Sequence, residues 1–99
     1  MRHESFVLSI LLTVLMTDVP VLVAPGTAWC RALNRGAGRR QVTLAFHEAA
    51  NDGSVTPEWA GAIWSGGSHT IRTTDPRAAR CRATWTGTST DLWVEVGRQ

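Results

Sequence analysis

The sequence predicts an all-β protein, a small antiparallel β-sandwich of about six or seven short strands with one disulfide, preceded by an N-terminal hydrophobic signal helix. Three observations lead to this prediction. Segments that alternate apolar and polar residues recur along the chain, separated by turn residues at intervals of about 8 to 12 residues. No segment after residue 28 is long and periodic enough for a helix. The only two cysteines, Cys30 and Cys81, lie in alternating segments.

The first 28 residues predict an export signal, and residues 29–99 a single β-sandwich domain. The start of the chain is polar and carries Arg2, and the apolar run Phe6–Met16 follows it with the length of a signal-peptide core. Small residues at Gly26-Thr27-Ala28 suit a signal peptidase. The predicted location is therefore secreted or periplasmic.

A retained membrane anchor over residues 6–23 is the alternative to a cleaved signal. This longer stretch reaches spanning length only by including Asp18 and Pro20. A carboxylate at membrane depth costs a few kcal/mol. We therefore expect cleavage, with a membrane-anchored protein as the second interpretation.

The two cysteines are predicted to form a disulfide, Cys30 to Cys81. A domain of about 70 residues has a core that is barely sufficient for stability, so a covalent link is expected in an oxidising compartment. Two buried free thiols are the alternative.

The strands are predicted mainly from alternation and from the turn residues that interrupt it. In Gln41–Glu48, Val42, Leu44 and Phe46 face inward. Residues 54–67 are irregular, and Pro57 suits an edge strand because it cannot donate to a central ladder. The remaining predicted strands are Trp29–Asn34, Ser68–Thr74, Ala79–Thr86 and a final strand that begins after Asp91.

The last two strands are predicted to form a hairpin around a loop at residues 87–90. In that register Trp85 opposes Leu92 on the inward face, and Arg82 opposes Glu95 on the outward face. This one register buries the apolar pair on the inward face and places opposite charges next to each other on the outward face.

This order of features resembles small exported bacterial two-cysteine β-sandwich proteins of unknown function, and more distantly immunoglobulin-like domains. The features are Cys30 shortly before Asn34, the alternating strand at residues 42–46, the Asp52-Gly53 turn and Cys81-Arg82 ahead of a final apolar strand. The resemblance implies a fold and a compartment, and it transfers no catalytic residue.

No catalytic residue, metal site or cofactor is predicted from the sequence. His47-Glu48-Ala49-Ala50-Asn51 lacks the second histidine of a zincin motif, because Asn51 stands at that position. His47 and His69 are interpreted as solvated histidines on outward strand positions. We therefore expect a protein that is not an enzyme.

A candidate ligand-binding surface is predicted from the tryptophans and arginines. Five tryptophans are unusual in a chain of 99 residues. Trp93 is predicted to point outward, Trp59 and Trp64 lie in the irregular segment, and Arg80 and Arg82 are outward strand positions. Such a surface suits an envelope glycan, an anionic lipid or another exported protein, and no nucleic acid is expected.

The sequence therefore predicts a secreted or periplasmic, non-enzymatic β-sandwich domain that binds a partner or belongs to the cell envelope. A membrane-anchored accessory subunit is one alternative. A carbohydrate-recognition module that uses exposed tryptophans is the other.

Overall fold

The computed structural model describes residues 14–22, 24–51 and 53–99. This part of the chain contains no helix and forms seven antiparallel strands in two sheets, which confirms the predicted all-β sandwich. The first sheet has the order β1-β6-β3-β4 and the second the order β5-β2-β7. The strands are β1 (Val14–Pro20), β2 (Ala28–Asn34), β3 (Arg40–His47), β4 (Ser54–Ile63), β5 (Ser68–Thr73), β6 (Arg80–Thr86) and β7 (Leu92–Arg98).

The core lies between the two sheets and is filled from alternate strand positions. In β3 the side chains of Val42, Leu44 and Phe46 have no exposed surface, as the alternation predicts. Trp85 of β6 is only 5% exposed and opposes Val42. Because successive side chains of a strand point to opposite faces, the intervening residues form the outer surfaces of the sandwich.

The disulfide between Cys30 and Cys81 is present and joins the two sheets. Cys30 lies in β2, the central strand of the second sheet, and Cys81 lies in β6, an inner strand of the first. Their Cα atoms are 6.4 Å apart and both side chains are fully buried. The predicted pairing is confirmed, and both thiols are used.

The predicted hairpin between the last two strands is wrong. β6 lies between β1 and β3, whereas β7 pairs with β2 in the other sheet. Arg82 opposes Asp18, and Glu95 opposes Arg31. The connection from Gly87 to Asp91 carries the chain from one sheet to the other.

The hairpin prediction failed because alternation specifies which side of a strand is buried and does not specify the neighbouring strand. β6 and β7 bury the same faces in either arrangement. Each outward charge also has an opposite charge on its true neighbour, so charge matching did not separate the two arrangements.

Strand β1 lies inside the segment predicted as the signal helix. Residues 1–13 lie outside the described part of the chain, while Val14–Pro20 is a strand paired with β6 along its whole length. After it, Val21 is 4% exposed, and its N–H donates to the carbonyl of Ala79 at 2.9 Å. The boundary at residue 28 stays a prediction.

The segment that contains Pro57 is a strand. Residues Ser54–Ile63 form β4 at an edge of the first sheet, where Pro57 was predicted to place them, and the Thr56–Pro57 peptide bond is cis. Within the described residues there is no helix with the length and apolar character needed to cross a membrane.

Replacing both cysteines with alanine, Cys30→Ala and Cys81→Ala, is expected to lower the free energy of unfolding by about 4 kcal/mol. The bond closes a loop between residues 51 apart, and chain entropy of the unfolded state gives that magnitude. Urea unfolding of the double variant measures it against the oxidised wild type. An unchanged midpoint would contradict the role assigned to the bond.

A chain that begins at Trp29 is expected to be less stable than one that begins at Val14, by roughly 3 kcal/mol or more. It lacks β1, it loses Val21 and Ala28 from the core, and it removes the Asp18 carboxylate from the arginines of β6. Denaturant unfolding of the two purified chains tests this. Equal unfolding midpoints would show that β1 is dispensable.

Candidate functional site on the outer face of the second sheet

We call the outer face of the second sheet the tryptophan face. The even-numbered positions of β2 are buried, so its odd-numbered residues point away from the core together with their partners on β5 and β7. Three rows cross the face in the order β5, β2, β7, and they are Arg72-Trp29-Gly97, Thr70-Arg31-Glu95 and Ser68-Leu33-Trp93.

Trp29 lies flat against the backbone of β7 at Gly97. A Cβ atom placed on Gly97 would overlap the Cζ2, Cε2 and Nε1 atoms of the indole. Only glycine allows so close an approach of the ring to the strand. The indole is therefore half-buried and held in one position on the face.

A shallow depression lies beside Trp29, with a volume of about 130 Å³. Trp29, Arg31, Thr70, Arg72 and Gln99 line it. The lining combines one aromatic ring with two guanidinium groups, a hydroxyl and an amide. It can therefore offer hydrogen bonds next to an apolar surface.

The charges on the face are unevenly paired. Arg31 forms an ion pair with Glu95, in which both nitrogens Nε and Nη2 donate to Oε1 and the Nε contact is 2.8 Å. Arg72 is exposed and has no ion pair or hydrogen bond with any other described residue. The net positive charge of the three rows therefore comes from Arg72.

Trp93 lies at the end of the face next to the β2–β3 loop. Its side chain is 51% exposed, and the guanidinium carbon of Arg35 lies 5.4 Å from the ring centroid. The N–H of Arg35 donates to the carbonyl of Asp91. This backbone hydrogen bond joins the two loops, and the guanidinium lies within the distance of a cation–π interaction with the ring.

Buried Asn34 and half-buried Asp91 organise the loops at this end of the sandwich. The Asn34 amide nitrogen donates to the carbonyls of Ile63 at 2.8 Å and Gly38 at 3.0 Å. Asp91 accepts from the Thr88 N–H and from Arg40 Nε, each at 3.0 Å. The Thr88 hydrogen bond, followed by that of Arg40, lowers the pKa of Asp91.

Trp64 occupies the same end of the molecule but follows β4 of the first sheet. It is 66% exposed, and the guanidinium carbon of Arg39 lies 5.8 Å from its ring centroid. It therefore lies beyond the rows of the tryptophan face. The two arginine–tryptophan pairs are brought to one end because both arginines belong to the loop that follows β2.

The structure places Trp59 in the gap between the sheets. Its ring stacks on His69, with centroids 3.8 Å apart and planes inclined by 10°, and it packs against the core. The prediction of two solvated histidines is wrong, because His69 is covered by this stack and His47 is only 9% exposed. Trp59 therefore closes an edge of the sandwich.

Arg80 and Arg82 lie on the outer face of the first sheet, opposite Pro20 and Asp18. The Asp18 carboxylate accepts from Arg82 Nε at 2.9 Å and lies 3.6 Å from Arg80 Nη1. The hydrogen bond from Arg82 lowers the pKa of Asp18. The two arginines are thus separated from Trp93 by the thickness of the sandwich.

Trp29 and Arg72 were missed as candidate site residues. Trp29 directly precedes Cys30, which is buried, so alternation along the predicted strand already places it outward. Arg72 follows Ile71, which is buried, so period-two alternation already placed it outward. The sequence does not predict that β2 pairs with both β5 and β7, and it is this pairing that brings Trp29 and Arg72 together.

No cluster of three histidine, cysteine, aspartate or glutamate side chains suited to a metal ion occurs among the described residues. Comparison with protein-family models, curated proteins and solved structures finds no match. The resemblance to exported two-cysteine proteins therefore stays a prediction.

Gly97→Ala is expected to displace the Trp29 indole and to shift its fluorescence emission, because the new methyl group would occupy the position of the ring. The emission maximum is measured for Gly97→Ala alone and in a Trp29→Phe background. The shift should disappear in that background. A shift that persists without Trp29 would contradict the contact.

Proposed function

We propose that this protein is a secreted or periplasmic, non-enzymatic binding domain of the cell envelope, and that its tryptophan face recognises a polysaccharide chain. The observation that carries the proposal is the placement of Trp29 and Trp93 on one outer face, with a polar depression beside Trp29. This placement supports the proposal of a carbohydrate-recognition site.

The indoles supply the apolar part of such a site. A tryptophan presents a large rigid surface with a polar N–H at its edge, which suits the apolar face and the hydroxyl rim of a sugar ring. Trp29 is already held against Gly97, and Arg35 lies over Trp93. Side chains that are ordered before binding lose little conformational entropy when the ligand arrives.

The spacing of the two indoles favours a chain over a single sugar. Trp29 opposes Gly97 and Trp93 opposes Leu33, so the two residues lie four positions apart along the sheet. At the rise of a β-strand this is about 14 Å, which exceeds the width of one sugar ring. A shallow depression on an open sheet face also suits an extended ligand better than an enclosed small molecule.

The proposed secreted or periplasmic location is supported by the disulfide, because disulfides persist in oxidising environments. The apolar run Phe6–Met16 after a polar start supports export. A binding role without catalysis is supported by the pairing of Glu95, the one carboxylate in the three rows, with Arg31. No carboxylate of the rows is left to act as a general acid or base.

The test is a titration of tryptophan fluorescence with soluble neutral and acidic glycans, combined with affinity electrophoresis in gels that contain them. Trp29→Ala and Trp93→Ala are each expected to weaken binding tenfold or more, the scale of a buried aromatic contact. Unfolding curves establish that each variant is folded.

Trp64→Ala is the matched control, since it removes an exposed indole that lies off the face. It should bind as the wild type does. Absence of binding to every glycan, or an equal loss in the Trp64 variant, would contradict the proposed site.

A further inference from the structure

We infer that the polysaccharide is acidic and that Arg72 determines this specificity, by binding the carboxylate of a uronic acid unit whose ring stacks on Trp29. This inference rests on the proposed function and names its ligand class. It follows from one unpaired cation, its neighbours and the order of the strands.

Among the described arginines, Arg72 differs from the others in having no partner within the described part of the chain. Carboxylates pair with Arg31, Arg40, Arg77 and Arg82. Arg98 donates to two backbone carbonyls. The guanidinium groups of Arg35 and Arg39 lie over tryptophan rings. A guanidinium with none of these contacts is available to an anion.

Its position joins that charge to the aromatic surface. Arg72 directly opposes Trp29 in the antiparallel register, and both line the depression with Thr70 and Gln99. A sugar ring lying on the indole would therefore hold a carboxylate substituent beside the guanidinium. The planar fork of arginine matches the two oxygens of a carboxylate with two parallel N–H donors.

The order of the strands keeps the negative charge of the face away from this position. β2 lies between β5, which carries Arg72, and β7, which carries Glu95. Arg31 of β2 accordingly stands between the two and pairs with Glu95. The β5 side of the depression is positive, and no aspartate or glutamate side chain of the described residues lines the depression, so this side complements an anionic ligand.

The experiment compares acidic polysaccharides with their neutral derivatives. Polygalacturonate, alginate and hyaluronate are each titrated beside their methyl esters, which keep the sugar backbone and remove the charge. The full chain is used as wild type and as Arg72→Gln, Arg72→Lys and Trp29→Ala. Arg77→Gln serves as the control, because it removes an exposed arginine in the turn after β5.

The wild type is expected to bind at least one acidic form ten times more tightly than its ester, with an affinity that falls as salt rises. Arg72→Gln should lose that preference and keep the affinity for the ester. Arg72→Lys should retain part of the preference for the acidic form, because a lysine supplies the positive charge but not the two parallel N–H donors of a guanidinium. Arg77→Gln should behave as the wild type.

Three results would overturn the inference. If the wild type binds an acid and its ester equally, and Trp29→Ala abolishes both, the carbohydrate site stands and the assignment of Arg72 is wrong. If Arg77→Gln reduces acid binding as much as Arg72→Gln does, the preference reflects overall charge and the assignment is again wrong. Binding of no polymer by the wild type would overturn both this inference and the proposed function.

Discussion

The bond between Cys30 and Cys81 is the constraint on which the rest of the structure depends. It joins the central strand of one sheet to an inner strand of the other, in a domain too small for its apolar core to supply much stability alone. With Cys30 fixed inward, the neighbouring positions of β2 must point outward. The same bond that links the sheets therefore also sets the side of the molecule on which Trp29 and Arg31 lie.

Alternation in the sequence was sufficient to predict the inward residues of β2 and β3, but it did not predict that His47 of β3 is also buried. The small size of the domain predicted the disulfide, and the proline of β4 predicted an edge strand. Alternation was not sufficient for the pairing of strands. Arg82 and Glu95 have opposite charges and matching positions, yet each pairs with a residue of another strand, Asp18 or Arg31. Long-range pairing depends on the three-dimensional path of the loops, and short turns of similar composition do not specify that path.

The candidate site was harder to predict for the same reason. The tryptophans and arginines were identified from composition, but a residue joins a site only through its neighbours on adjacent strands. Trp59 is a strand residue like Trp29, yet it stacks on His69 and covers the core. The arginines of β6 are paired with Asp18 on one face of the sandwich, whereas Arg72 on the opposite face has no ion pair with another described residue.

The contact between Trp29 and Gly97 also supplies a magnetic probe within the site. Protons above an indole plane experience its ring current, and the Cα of Gly97 lies against that plane. Its α-proton resonances should accordingly be displaced from those of an ordinary strand glycine. A glycan that moves the indole by a fraction of an ångström would move those resonances, so the proposed binding can be tested by NMR at a glycine that lies against the ring.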